Sequence, residues 1–293
     1  AKHFAVHSGP EWNRHSFNVE DLPARDLWET YMPAFKALVQ EGNVREVMCA
    51  YQRLDGEPCC GNNRLLQQIL RNEWGYNGLV VSDCGAISDF WEKGHHEVDA
   101  DQQLSSAHAV RTGTDVECGS DYKSLPEAVI AGQVSMEKVD TSVVRLLEAR
   151  FTLGEFDGPD LVFWKRIGPE VIGSSAHRQL ALDMARETMT LLQNRKNILP
   201  LRRDLKIVVM GPNAVDSVAL LANYNGFPFS TVTLLQGIQS KAKNVTYIPG
   251  VGYTRNVDSE LFHNEFNKPK NKTDFSPATP EQMAAKAKDA DVV

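Results

Sequence analysis

The sequence lacks long hydrophobic runs, an excess of positive charge and an ordered set of cysteines, and each absence removes a class of function. No stretch approaches the ~18 consecutive apolar residues of a membrane-crossing helix. The 31 Lys and Arg are outnumbered by 38 Asp and Glu, giving a net charge of −7. A phosphate-tracking protein needs a basic face, so a nucleic-acid partner is excluded. Neither a G-x-G-x-x-G turn nor a P-loop is present, so nucleotide chemistry has no motif to stand on. The five cysteines, Cys49, Cys59, Cys60, Cys84 and Cys118, are too few and irregular for a disulfide scaffold. They read as buried or loop thiols. Cys59 and Cys60 are neighbours rather than a C-x-x-C pair, and His95-His96-Glu97 reads as a polar loop, since no other His falls at a ligand spacing. No metal and no organic cofactor is expected. The sequons at Asn244 and Asn271 are triplets common by chance. There is no initiator Met before Ala1 and the chain stops on Val292-Val293, which suggests a slice of a longer protein.

What is there is ample apolar material, 42% of residues, and a regular alternation of strands and helices. Residues 44–51, 78–83 and 113–119 read as strands, with helical periods at 26–40, 62–74, 101–112, 124–131 and 135–153 between and after them. In the first helix Leu27, Tyr31, Ala34, Phe35 and Leu38 recur at three- and four-residue spacing. Near-continuous apolar strands alternating with helices predict a parallel sheet covered by helices. A doubly wound sheet and a (β/α)8 barrel both fit; the strands end in polar or reactive residues, which favours the barrel, but only about four βα units are present where eight are needed. The expected fold is α/β, the C-terminal half of a (β/α)8 TIM-type barrel followed by part of an α/β sandwich domain. The expected boundaries are a partial barrel at 1–157, a linker at 158–173 and a partial sandwich at 174–293. In that second part, strands are expected at 206–210, stopped by Gly211-Pro212, and at 245–248 and 290–293, helices at 174–194, 232–241 and 281–287, and an exposed loop at 254–277.

Asp83 is the most suggestive single residue, a carboxylate where the apolar run Leu79-Val80-Val81 meets polar groups. There it can serve as nucleophile or general base, or simply as a helix N-cap. Lys2-His3 can donate hydrogen bonds to sugar hydroxyls or an anion, or be a solvated dipeptide. Tyr51 closes a strand and can present its phenol to a carboxylate or pack in the core. Asp115 and Glu117 alternate in a strand, so one of them can face the barrel mouth. Trp12, Trp28, Trp74, Trp91 and Trp164 are candidates for stacking on sugars, although most aromatics pack in cores.

Taken in order, Lys2-His3-Phe4, Val47-Met48-Cys49-Ala50-Tyr51 with Asp55-Gly56, and Gly75-Tyr76-Asn77-Gly78-Leu79-Val80-Val81-Ser82-Asp83 form a pattern. So do Thr114-Asp115-Val116-Glu117-Cys118-Gly119, Leu191-Leu192-Gln193-Asn194 and Gly211-Pro212-Asn213-Ala214 further on. The set resembles glycoside hydrolase family 3, in its β-xylosidase and β-glucosidase branch. The resemblance implies a retaining, exo-acting β-glycosidase that releases xylose or glucose from oligosaccharides or aryl glycosides. It implies Asp83 as nucleophile, Lys2 and His3 gripping sugar hydroxyls, Tyr51 beside the nucleophile and Met48 walling the subsite. Ala5-Val6-His7 replaces the Pro-Gly-His of the N-acetylglucosaminidase branch, which is therefore disfavoured. The acid/base Glu of the remaining branches is expected beyond Val293, so the chain by itself is expected to be inactive. A periplasmic or secreted location follows from the same resemblance. The competing class is a carbohydrate-binding relative that kept the fold and lost the chemistry, and an intact Asp83 argues against it.

Overall fold

The computed structural model describes residues 1–221, 224, 226–250 and 278–293. The chain divides into two compact units, Ala1–Arg166 and Ile167–Val293. The loop expected at 254–277 lies outside the described residues.

In the first unit, a two-residue strand β1 (Asn18–Val19) precedes the short helix α1 (Ala24–Asp26), a π-helical turn at Leu27–Tyr31, and α2 (Pro33–Gln40). Strands β2 (Glu46–Cys49), β3 (Arg53–Leu54) and β4 (Glu57–Pro58) follow, then a π-helix at Arg64–Glu73 and strand β5 (Leu79–Ser82). Helices α3 (Gln102–Thr112), α4 (Leu125–Ile130) and α5 (Met136–Thr152) complete the unit. β2 and β5 pair in parallel, Glu46 opposite Leu79 through Cys49 opposite Ser82. The sheet extends on both sides. Phe4 bridges Cys49 and Val81 bridges Val116, both in parallel. Phe4 N–H donates to Met48 (2.8 Å), and Ser82 N–H donates to Val116 (2.9 Å). Four parallel segments thus run side by side with helices between them, as the alternating pattern predicts. The expected strand at 113–119 contributes only that bridge as regular pairing: Asp115 and Val116 both donate to Val80, Ser82 donates to Val116, and past the end of β5 Gly85 N–H donates to Cys118.

The core lies between this sheet and its helices. Val47 and Val80 are buried on it, and Leu65, Leu66, Ile69 and Leu70 of the π-helix pack over it with Phe4, Ile87 and Phe90. Each fully buried Leu or Ile contributes about 1.5–3 kcal/mol. The helices start where the sequence caps them. Asp101 accepts from Leu104 N–H ahead of α3, and Ser135 from Lys138 N–H ahead of α5.

Two features were not foreseen. β3 and β4 form a hairpin whose two-residue turn, Asp55-Gly56, has φ of 52° and 87°, the type I′ geometry that Gly accommodates. β1 joins it in parallel at β3. These strands are two residues long, too short to leave a periodic signal. The cysteines also need correction. Cys49 is bonded to Cys60 and Cys84 to Cys118, leaving the buried Cys59 as the free thiol. Spacing along the chain does not reveal this, because the partners meet only through strand pairing and the Asp55-Gly56 turn.

The second unit contains α6 (Ser175–Glu187), β6 (Lys206–Met210), α7 (Leu234–Gln239), β7 (Asn244–Ile248) and α8 (Pro280–Lys288). β6 and β7 are parallel, and Val292 bridges Ile207 on β6. Thr233 and Thr279 form capping boxes with Gln236 and Gln282, which fixes the starts of α7 and α8. Helix α6 ends at Glu187, seven residues before the expected Asn194.

Candidate active site

The ends of the parallel segments gather most of the residues expected at the site. His3 stands on the segment beside β2, Tyr51 lies two residues beyond the end of β2, and Asp83 is the first residue after β5. Asp83 N–H donates to Cys49, which fixes the carboxylate at the sheet end (3.3 Å). Asp83 is buried. Its Oδ1 accepts from Cys84 N–H at 2.8 Å. Its Oδ2 is buried, lies 3.3 Å from His3 Nε2, and makes no aligned hydrogen bond among the described residues. The bond from Cys84 is made to the next residue and starts no regular helix, so the N-cap alternative does not describe this carboxylate.

Tyr51 is buried, and its hydroxyl donates to the Cys84 carbonyl at 2.8 Å. The Cys84 peptide therefore holds both groups, one through its N–H and the other through its C=O. Burial and the negative charge of Asp83 push the Tyr51 phenol well up, so it remains a proton donor. Burial holds His3 below the ordinary imidazole value, with His7, Lys2 and Arg14 acting the same way against the pull of Asp83. A neutral His3 thus faces the carboxylate as a dipole. Met48 is half-buried on β2, and Lys2 is exposed next to His3.

Two neighbours escaped the sequence reading. The Arg14 guanidinium lies 4.9 Å from the centre of the Tyr51 ring. His7 sits 4.9 Å from His3, ring to ring, and its Nδ1 is 2.7 Å from Gln52 Oε1. Neither belongs to a periodic element; the turn of the chain after Phe4 brings His7 beside His3, and the pairing of β1 with β3 brings Arg14 over Tyr51.

Other candidates serve the scaffold. Both oxygens of Asp115 are taken, by Arg71 and Arg145 among others, and Glu117 accepts from the N–H groups of Asp121 and Tyr122. Trp74 packs against Phe4 in the core, Trp91 donates to Asp121, and Trp12, Trp28 and Trp164 are exposed. The loop His95-His96-Glu97 is less plain than expected. His96 is buried, and Asp89, Glu92 and His95 place three potential metal-ligand atoms within 4.8 Å of one another.

Residues 1–149 match the model of the glycosyl hydrolase family 3 N terminal domain, and 189–293 that of its C-terminal domain. The chain belongs to glycosyl hydrolase family 3. It is 57% identical over 257 residues to a xylan 1,4-beta-xylosidase of Xylanibacter ruminicola, covering 87% of this chain and 30% of that protein. A probable beta-D-xylosidase 7 of Arabidopsis thaliana is 36% identical over 256 residues, 85% of this chain and 33% of that protein. The chain therefore spans about a third of the length of these curated relatives. Among solved structures, a GH3 exo-beta-xylosidase (XlnD) in complex with a xylobiose aziridine probe superposes with a TM-score of 0.77 at 30% identity, over 88% of this chain and 34% of that one. These likenesses bear out the expected fold class, barrel strands and helices followed by an α/β sandwich domain. No helix among the described residues is long and apolar enough to cross a membrane.

Proposed function

We propose that the protein carrying this chain is a retaining, exo-acting β-glycosidase that removes terminal β-linked xylose, with Asp83 as its nucleophile. The state of the Asp83 carboxylate carries this reading. One oxygen is held by Cys84 N–H and the other is left without an aligned donor. An anomeric carbon needs an ionised oxygen with a free lone pair, fixed below the ring by a rigid strand end. Oδ2 attacks C1 while the C1–O bond to the leaving group breaks, and that oxygen takes a proton from a general acid. Water then cleaves the glycosyl ester from the opposite face, restoring the β configuration. Tyr51, its hydroxyl donating to the Cys84 carbonyl, and His3 flank the carboxylate and orient it toward the sugar. Met48 walls the subsite, and Lys2 reaches sugar hydroxyls from its exposed position. Xylose rather than glucose is supported by the 57% identity to a xylan 1,4-beta-xylosidase.

Hydrolysis of aryl β-xyloside and aryl β-glucoside by the whole protein, followed by proton NMR, tests this. The expected result is β-xylose as first product and a higher kcat/KM for the xyloside. First-formed α-xylose would overturn the retaining mechanism, and binding of xylose without hydrolysis would favour a carbohydrate-binding protein. We also infer export to the periplasm or beyond, supported by the Cys49–Cys60 and Cys84–Cys118 bonds, which persist in oxidising compartments. Cell fractionation tests that inference, and a protein confined to the cytosol would contradict it.

A further inference from the structure

A second cluster beside Asp83 takes no part in the mechanism above. His15 comes from the loop before β1, Asp89 and His95 from the segment between β5 and α3, and Asp89 sits six residues after the nucleophile. The Asp89 carboxylate is 2% exposed. Its Oδ1 lies 2.6 Å from His95 Nδ1, and its Oδ2 lies 2.9 Å from His15 Nδ1. On the far side of the His15 ring, Nε2 is 3.2 Å from Arg14 Nε. A guanidinium nitrogen only donates, so His15 Nε2 must be the acceptor and its proton must sit on Nδ1, directed at Asp89. The chain of bonds therefore has one direction. Arg14 Nε–H donates to His15, and His15 Nδ1–H donates to the buried carboxylate.

The far end of this chain of bonds is Tyr51, whose hydroxyl shares the Cys84 peptide with Asp83. The Arg14 guanidinium lies over the face of Tyr51, and the His15 ring meets the same Tyr51 edge-on at 4.5 Å. Arg14 also pairs with Glu11 at 2.8 Å, but Glu11 is 70% exposed, and such pairs hold little by themselves. The loop under His15 is anchored as well. Arg53 donates to the Ser16 carbonyl at 3.1 Å, and Arg53 N–H to Phe17 at 2.9 Å.

Resting on the reading of Asp83 as nucleophile, we propose that His15, oriented by Asp89, is a positioning residue that holds Arg14 over Tyr51 and so sets sugar affinity at this site. His15 acts through Arg14. It contributes to binding, which ground state and transition state share, and little to attack by Asp83.

The test uses the whole protein with His15→Ala, His15→Gln, Arg14→Ala and the double variant His15→Ala/Arg14→Ala. Gln keeps an acceptor for Arg14 and a donor for Asp89. Steady-state kinetics on an aryl β-xyloside are read together with the melting temperature of each variant. His15→Ala should raise KM about tenfold with kcat held within about twofold. His15→Gln should recover most of that loss, and adding His15→Ala to Arg14→Ala should change KM by less than about twofold. Additive effects in the double variant, an unchanged KM in His15→Ala, or a loss confined to kcat would each overturn the proposal. So would a KM that shifts on adding zinc chloride and returns with EDTA, which would assign the cluster to a metal. Should His15→Ala not fold, Arg14→Ala alone against His15→Gln decides, since the proposal requires Gln to retain the affinity that Arg14→Ala loses. Failure of the nucleophile reading is separate, because it would show as activity surviving in an Asp83 variant whatever happens at His15.

Discussion

Asp83 and Asp115 are both buried carboxylates on neighbouring segments of one parallel sheet, and they have opposite surroundings. Asp115 is saturated. Its Oδ2 accepts from Arg71 at 2.6 Å and from Val80 N–H at 2.9 Å, and its Oδ1 from Arg145 at 2.7 Å and Ser142 at 3.2 Å. These bonds tie the β5 strand, the π-helix at Arg64–Glu73 and α5 together. Asp83 is held by one oxygen and open at the other. Burial alone does not distinguish a reactive carboxylate from a structural one; the number of satisfied lone pairs does.

Removing each group is the plainest way to break the comparison. Asp83→Asn should reduce kcat by about 10⁴-fold or more, as loss of a covalent nucleophile does, with the melting temperature nearly unchanged. Asp115→Ala should instead destabilise by about 3–5 kcal/mol, because it strands Arg71 and Arg145 without their counterion. Urea unfolding of the whole protein measures this. A stability loss at Asp83 equal to that at Asp115 would erase the distinction between them.

His96 sharpens the comparison from the other side, as a buried ionisable group with both ring nitrogens unpaired among the described residues. Burial first, and then the charge of Arg53, depresses it to about 3 from 6.5. The unfolded chain binds a proton that the folded chain refuses. The stability from a neutral His96 is therefore complete above pH 6.5 and is lost progressively as pH falls from 6.5 towards 3. The loss should amount to a few kcal/mol. His96→Leu should flatten this part of the stability–pH curve, measured by thermal melts between pH 4 and 7, and an unaltered slope would exclude His96 as its source.

The parts of this unit that were legible in the sequence are those where a periodic pattern and a chemical type coincide. Leu79-Val80-Val81-Ser82 is an apolar strand, and the Asp that follows it had to sit at a sheet end. Helices α3 and α5 announced themselves by their period, and the structure adds the caps Asp101 and Ser135. Pairings across the fold left no such trace. Cys84 and Cys118 meet because β5 bridges Val116, and Arg14 reaches Tyr51 because β1 aligns with β3. Asp115 and Asp83 also look alike as sequence, each an acid among strand residues. What separates them, the two guanidiniums of Arg71 and Arg145, comes from helices distant along the chain.

The central claim is that the open oxygen of Asp83 forms a bond to sugar. Incubating the whole protein with a 2-deoxy-2-fluoro β-xyloside carrying a good leaving group, then digesting and sequencing it by mass spectrometry, tests this directly. The account predicts one 2-fluoroxylosyl adduct, on the peptide containing Ser82-Asp83-Cys84 and on Asp83 itself. An adduct on another carboxylate, or inactivation of the Asp83→Asn variant at the same rate, would contradict it.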